Sequence, residues 1–531
     1  MIYRGTNGKN KVLAFSSNHS ITLVFDWHKS ELSNLLGFAV RKHNPDGTIL
    51  WLEGMLPFRG HGHIPGSLIP SNLAPFQKMY WADYNIRSGD YTYDVIPVVR
   101  TSAANRSLAY RLEEAKAVSV TASSDPHGDV AHQVHFNRAV VSSQAYARNF
   151  NNESPINNPD ALRWLARGLD RFLLDFLDDA RKKGKYIDVA AYHMTHDDII
   201  SAICAFGDRA RVSLCWKKDD DQTRNEHAEN QLTGHGVEVH LREEVGAISH
   251  NKYVVVKDAA GNAEEVLMGS ANFTHGGISL QNNVYHRIKD KKLAAHYLDT
   301  FELLITEDNV ELRKRNKKWY KGTSSAEVNF SPHSASDRSD LDTYTDLVTN
   351  AASSVFYATF RSTDFALIDA MVNPQTASVF TRGLVDATYQ TTEGDTILYH
   401  AAREKDPAVV PAFSVRSNNF MVAEREREGF NPLVHHKFIV IDADTADPII
   451  ITGSANYSKN SSQKNDENTL IIRDNRIGKL YLSEFFRIYE HYRSRWYLMR
   501  SQPSDDIFLR EDNSWSDKYY NRSTSKQFFD K

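Results

Sequence analysis

The strongest constraint on the fold is that the order of elements is written twice. From about residue 121, VHFNRAV (134–140) reads as a strand. ALRWLARGLDRFLLDFLDDARKK (161–183) then carries apolar residues at three and four spacing, the period of an amphipathic helix. YIDVAAYHM reads as a strand, DDIISAICAFG as a helix and ARVSLCW as a strand. After residue 326 the order returns. EVNFSPH (327–333) matches VHFNRAV, and LDTYTDLVTNAA (341–352) is a shorter helix. SVFYATFRSTDFALIDAMV (354–372) parallels YIDVAAYHMTHDDIISAIC, and TASVFTRG parallels RVSLCWKK. Each half is a β-α-β-α-β unit, so the duplication predicts two α/β lobes.

Both halves close on one motif, ISHNKYVVVKDAAGNAEEVLMGSANFT (248–274) and VHHKFIVIDADTADPIIITGSANYS (434–458). Side chains two apart on a strand share a face, so His250 projects with Lys252 and His435 with Lys437. The residues that follow are strongly β-forming, and a histidine and lysine at the lip of such a strand are aimed at something. In the Gly-Ser-x-Asn turn, glycine allows close backbone approach. Ser270 and Ser454 offer hydroxyls, and Asn272 and Asn456 offer amide donors. One copy is half a site for a phosphate-like oxyanion. Two copies face to face surround one phosphorus with a nucleophile on one side and a proton donor on the other, as in-line displacement requires.

The rest of the chain frames these lobes. Residues 1–120 carry alternating β-formers, with hairpins expected around Asn44–Gly47 and, between YWADYNI and YTYDVIPVV, around 87–90; they predict a β-sandwich-like domain. The first lobe is expected at 121–306 and a basic helical linker at 307–326. The second lobe, with a C-terminal helix and tail, takes 327–531. In the linker Arg313, Lys314, Arg315, Lys317 and Lys318 lie beside Trp319 and Tyr320, a run that grips nucleic-acid phosphates or is simply a solvated basic helix. The net charge of -4 gives no bulk attraction to nucleic acid or membrane, so any basic site must be local. Two cysteines, Cys204 and Cys215, in apolar surroundings read as free thiols and favour a reducing compartment. The N-terminus lacks a signal-peptide pattern and no run approaches a membrane span, so a cytoplasmic protein is expected. No zinc spacing, Walker loop or GxGxxG is present, and no cofactor or metal is expected. His193 and His196 sit where a strand-end loop reaches toward the site, although solvation is the plainer role. His28, His61 and His63 are too scattered for a metal site.

The paired motifs resemble the phospholipase D superfamily, whose signature is His-x-Lys, four residues, Asp, then Gly-Ser-x-Asn. His435, Lys437, Asp442, Gly453, Ser454 and Asn456 fit it fully. In the first copy His250, Lys252, Gly269, Ser270 and Asn272 fit, but Lys257 stands where the aspartate belongs. Asp442 has the wrong strand parity to join the His/Lys row, so a structural role is expected. The resemblance covers roughly 130 to 500. It implies duplicated α-β-α sandwich lobes and metal-independent phosphodiester cleavage through a phosphohistidine. Glu467 resembles the carboxylate that backs the histidine in the family's small bacterial nucleases, and the matching place in the first copy is Asn283. Glu467 is therefore expected to charge His435 as the acid, and Asn283 to orient His250 as the nucleophile. A nuclease is the preferred reading, a phospholipase D or phospholipid transferase the alternative, and a non-catalytic phosphate-binding scaffold the third.

Overall fold

The computed structural model describes residues 2–18, 20–84, 86–101, 108–124, 130–216, 220–243, 247–374, 376, 378–386, 409–412, 433–500 and 508–520. These fall into two compact units. One holds the described residues up to 124 together with those from 479 onward. The other holds those from 130 to 478.

The second unit contains both repeats. The first lobe supplies β1 (His132–Phe136), β2 (Tyr186–Ala191), β3 (Ala210–Cys215), β4 (Glu238–Arg242), β5 (Lys252–Lys257), β6 (Ala263–Gly269) and β7 (Val284–Ile288). The second supplies β8 (Ala326–Ser331), β9 (Ser354–Thr359), β10 (Phe380–Asp386), β11 (Val409–Ala412), β12 (Lys437–Ile441), β13 (Ile449–Gly453) and β14 (Glu467–Ile472). The sheet orders are β1-β7-β6-β5-β2-β3-β4 and, after a short edge pair at Tyr320–Lys321, β8-β14-β13-β12-β9-β10-β11. Strand for strand the two are the same sheet. The motif strands β5 and β12 lie centrally, antiparallel to β2 and β9. Their runs YVVV and FIVI are buried throughout because helices cover the sheet.

The helix expected over 161–183 is two helices, Pro159–Ala166 and Leu169–Lys182. Arg167 and Gly168 both take left-handed backbone, at φ 48° and 89°, which stops the first helix and re-aims the second. Leu169, Leu173, Phe176, Leu177 and Ala180 then bury one stripe against the first sheet.

The first unit has a four-stranded sheet (Ile2–Asn7, Asn10–Ser16, Ile21–Asp26, Tyr80–Asp83). A second sheet is built on Leu35–His43 and Asp90–Thr101. Val12, Leu23 and Phe25 from one and Phe38, Tyr93 and Val95 from the other share one core, a β-sandwich arrangement. The Asn44–Gly47 hairpin forms as expected. The hairpin expected around 87–90 does not. Tyr80–Asp83 pairs with Ile21–Asp26, whereas Asp90–Thr101 pairs with Leu35–His43, so the turn carries the chain from one sheet to the other.

The expected second lobe also ends too late. From residue 479 the helix Asn475–Arg500, and after it the described tail, belong to the β-rich unit. Trp515 joins that unit's core beside Phe38, and its indole N–H donates to the Leu35 carbonyl at 3.0 Å. The residues of SWSDKYYNRSTSKQFFDK beyond 520 lie outside the described residues.

Candidate active site

The two motifs meet. Ser249 forms a parallel bridge with Asp466, and Asn282 forms one with Val434. In each case the residue before a motif histidine lies against the residue before the other lobe's Glu467 or Asn283. The His250 N–H donates to the Asp466 carbonyl at 2.9 Å, and the Asp466 N–H to the Ile248 carbonyl at 3.1 Å. Arg242, on the last strand of the first sheet, clamps the Asp466 carboxylate at 2.5 and 3.2 Å, both groups fully buried.

This pseudo-twofold seam crosses the support of the histidines. The His250 Nδ1–H donates to Glu467 Oε2 at 2.7 Å. The His435 Nδ1–H donates to Asn283 Oδ1 at 2.9 Å. The expected pairing of Glu467 with His435 and of Asn283 with His250 is therefore corrected: each histidine is held by the opposite lobe. Glu467 opens β14 and Asn283 immediately precedes β7, two strands away from the motif strand of its own sheet. From there both side chains reach across the seam.

The expected role of the two serines is corrected as well. The Ser454 hydroxyl donates to Glu467 Oε2 at 2.8 Å and accepts the Asn468 N–H at 3.0 Å. The Ser270 hydroxyl donates to Asn283 Oδ1 at 2.8 Å and accepts the Val284 N–H at 3.2 Å. Both are fully buried, so they fix the groups behind the histidines and do not reach an oxyanion. Asn283 Nδ2 donates to the Gly277 carbonyl at 2.8 Å, which settles its orientation. Its oxygen faces His435 and demands the Nδ1–H tautomer, leaving Nε2 toward the cleft. The preceding glycines are packing requirements. A Cβ on Gly269 would collide with the Val284 carbonyl and one on Gly453 with the Asn468 carbonyl. The close approach anticipated for a ligand is thus made by β7 and β14. Asn272 and Asn456 each bury an amide oxygen with no hydrogen-bond partner among the described residues.

Each lysine curls back on its own histidine. Lys252 Nζ donates to the His250 carbonyl, and Lys437 Nζ to that of His435 at 2.8 Å. Burial pushes the Lys252 ammonium down to about 7, with Glu467 opposing, and pushes Lys437 well down, with Lys252 adding to the fall. Burial first, then Lys437 and Lys252, hold His435 far below the ordinary imidazole range. Burial raises Glu467 to about 7 against the pull of Lys252. Two desolvated cations with too little counter-charge form a receptor for an anion.

Asp442 behaves as its parity predicted. At φ 53° it points away from the site and accepts the N–H groups of Ala352, Ser353 and Ser354 at 3.0, 2.7 and 3.1 Å, pinning the start of β9. Lys257, its counterpart, also ties its strand to the neighbouring one, but through a side-chain ion pair. It pairs at 2.7 Å with Asp188 of β2, which Arg211 also holds.

Other expected residues fare differently. His193 lies within the site's wall, stacked on Tyr192 at 3.8 Å, and His196 is buried against His275 at 4.1 Å between ring centroids, so neither is a solvated loop residue. The basic run does not act as one surface. Lys314 is paired with Glu311. Arg315 lies over Tyr320 and donates to Thr300 Oγ1 at 3.2 Å and to the His296 carbonyl at 3.0 Å. Arg313 is half-buried, which leaves Lys317 and Lys318 exposed. Sequence reasoning missed Tyr192 and Phe360, whose rings lie 4.9 and 5.0 Å from His250 and His435. Laying YIDVAAYHM over SVFYATFRS puts them at the same position of each repeat, which is the signal that was there to read.

The family model described as the phospholipase D-like domain of cardiolipin synthase matches residues 173–305 and 344–489, more than half of the chain. The chain belongs to the phospholipase D superfamily. Mitochondrial cardiolipin hydrolase of Mus musculus is 41% identical over 59 residues, 11% of this chain and 25% of that protein. The Xenopus laevis protein of the same description is 37% identical over 78 residues, 15% of this chain and 34% of that one. The chain thus spans a quarter to a third of the length of these curated relatives. Among solved structures, phosphatidylserine synthase from Haemophilus influenzae is 12% identical with a TM-score of 0.41, over 60% of this chain and 85% of that one. NucT from Helicobacter pylori is 17% identical with a TM-score of 0.24, over 31% and 97%.

Proposed function

We propose that the chain is a metal-independent nuclease that cleaves phosphodiesters through a phosphohistidine on His250. The observation that carries the chemistry is the crossed support of the two histidines, each with a buried lysine bonded to its own carbonyl. His250 Nε2 attacks phosphorus, the N–P bond forms as the P–O bond to the leaving group breaks, and His435 gives that oxygen its proton. His435 then takes a proton from water, the water oxygen attacks phosphorus, and the N–P bond breaks.

The crossed geometry supports this order by a different argument from the one the sequence suggested. Positive charge grows on the attacking imidazole, so a carboxylate behind His250 stabilises the transition state more than the ground state. Behind the acid it would stabilise the reactant and weaken proton donation. The amide of Asn283 carries no such cost, and the lysines make His435 a strong acid once an anionic substrate draws a proton onto it.

For the substrate, the catalytic unit exposes only Ile156, Val310 and Phe365 as large hydrophobics among its described residues, and Lys317, Lys318, Arg361 and Lys459 are four among its many exposed cations. Scattered apolar side chains with exposed cations favour a polyanion over acyl chains. A phospholipid substrate is the second reading, favoured by the family description and the cardiolipin hydrolase relatives. Incubation in chelator with single- and double-stranded DNA, RNA and cardiolipin vesicles in parallel separates them. Cleavage of nucleic acid alone is expected. Turnover of vesicles alone would overturn the nuclease reading.

A further inference from the structure

Each lysine–histidine pair is bracketed by an aromatic ring from the neighbouring strand. Lys252 Nζ lies 5.2 Å from the centre of the Tyr192 ring, and Lys437 Nζ lies 5.2 Å from that of Phe360. The same two rings lie 4.9 Å from His250, edge to face, and 5.0 Å from His435. The positions are equivalent by register, since Ala191 pairs with Lys252 and Thr359 with Lys437. The next residues are tied alike: Thr195 and His196 both donate to the Phe273 carbonyl, and Thr363 and Asp364 both donate to that of Tyr457.

An ammonium has three donors. One goes to the carbonyl of the motif histidine two residues back, and another side faces the ring. That leaves the remaining direction for the cleft. We propose that Tyr192 and Phe360 are positioning residues, whose π-faces aim each lysine at the substrate phosphate and hold its charge where the side chain is fully buried.

A ring is suited to this task because its face attracts a cation without carrying a charge. A second carboxylate beside each lysine would neutralise it and repel the incoming anion. The groups facing Lys252 are Glu467, Cys215, His250 and, across the seam, His435 and Lys437. Lys437 faces Lys252, Glu467 and His435. Glu467 is the one carboxylate in either set, and it is already engaged by His250 and Ser454. The rings therefore add to the attraction of a single carboxylate that both lysines share. His193, stacked on the Tyr192 ring at 3.8 Å, keeps that ring in register, while the second lobe has exposed Arg361 at the matching place.

The inference rests on the anion-binding reading of the site, and its test does not need turnover. The probe is tungstate, a phosphate mimic whose charge is constant from pH 6 to 10. Its stabilisation of the melting temperature is followed across that range for wild type, Tyr192→Phe, Tyr192→Leu and Phe360→Leu. Tyr192→Phe should match wild type. Tyr192→Leu and Phe360→Leu should lose half of the tungstate effect about one pH unit earlier, because a lysine without its ring gives up its proton sooner, and should bind about tenfold more weakly at neutral pH. Equal weakening at every pH would show mere packing and overturn the proposal, as would a shift in Tyr192→Phe. Should Tyr192→Leu fail to fold, Phe360→Leu decides by the same criterion. A wild type that tungstate does not stabilise overturns the phosphate-site reading itself.

Discussion

Replacing Glu467 by glutamine removes one charge and, besides it, only the long hydrogen bond that Oε1 accepts from Asn465 Nδ2 at 3.4 Å and the contact with Ser461. Oε2 accepts from His250 Nδ1 at 2.7 Å and from the Ser454 hydroxyl at 2.8 Å. A glutamine oxygen can take both, as Asn283 does for His435 and Ser270 in the other lobe. What is lost is stabilisation of the imidazolium that forms as His250 attacks. A hydrogen bond to a charged group is worth about 1.5–3 kcal/mol, so kcat on a p-nitrophenyl phosphodiester should fall about 10- to 100-fold with little change in KM. Stability should move the other way. Burial raises the Glu467 pKa to about 7, above the ordinary carboxylate value. A raised carboxyl pKa means the folded state holds the proton longer, so this group's contribution falls as pH rises from about 4.5 to about 7. At pH 8 the glutamine variant should melt at or above wild type. A variant that keeps more than half of wild-type kcat, or that loses rate only in proportion to lost folded protein, would refute the transition-state role.

Activity should persist in excess EDTA, because Lys252 and Lys437 supply the positive charge a metal would otherwise bring; loss on chelation with recovery on adding magnesium would contradict this. Asp442→Ala should lower unfolding free energy by about 3 kcal/mol in denaturant titration, since it orphans three backbone donors and leaves alanine at φ 53°, with kcat per folded molecule unchanged. Lys252→Met should abolish turnover yet stabilise the fold near neutral pH. The folded-state pKa is lowered to about 7, so the penalty for keeping this lysine is full below that pH and relaxes as pH rises toward 10; the stability difference between variant and wild type should narrow over that interval.

Much of the site was legible because strands impose simple rules. Period two placed each histidine with its lysine, and odd parity put Asp442 on the backbone of β9. The repeat order predicted two duplicated α/β lobes, and Ala191 against Lys252 and Thr359 against Lys437 show their sheets in matching register. What the sequence hid was the seam. Glu467 follows its own motif by a short distance in the chain, so closeness in sequence suggested His435 as its partner. The contact of Ser249 with Asp466 turns it toward His250 instead. Long-range choices also separated Trp515 from the lobe that precedes it in the chain, since the core it fills belongs to Phe38 and Leu35.

The central claim is one site assembled from two lobes, with His250 attacking. Quench into alkaline denaturant during turnover, which preserves the acid-labile N–P bond, followed by peptide mapping of the trapped adduct, tests it most directly. A phosphoryl group on the peptide that carries His250, absent in His250→Ala and accumulating in His435→Ala with a p-nitrophenyl substrate, is the predicted result. An adduct on His435 would reverse the roles, and half of the activity surviving in each single histidine variant would mean two independent sites and contradict the account.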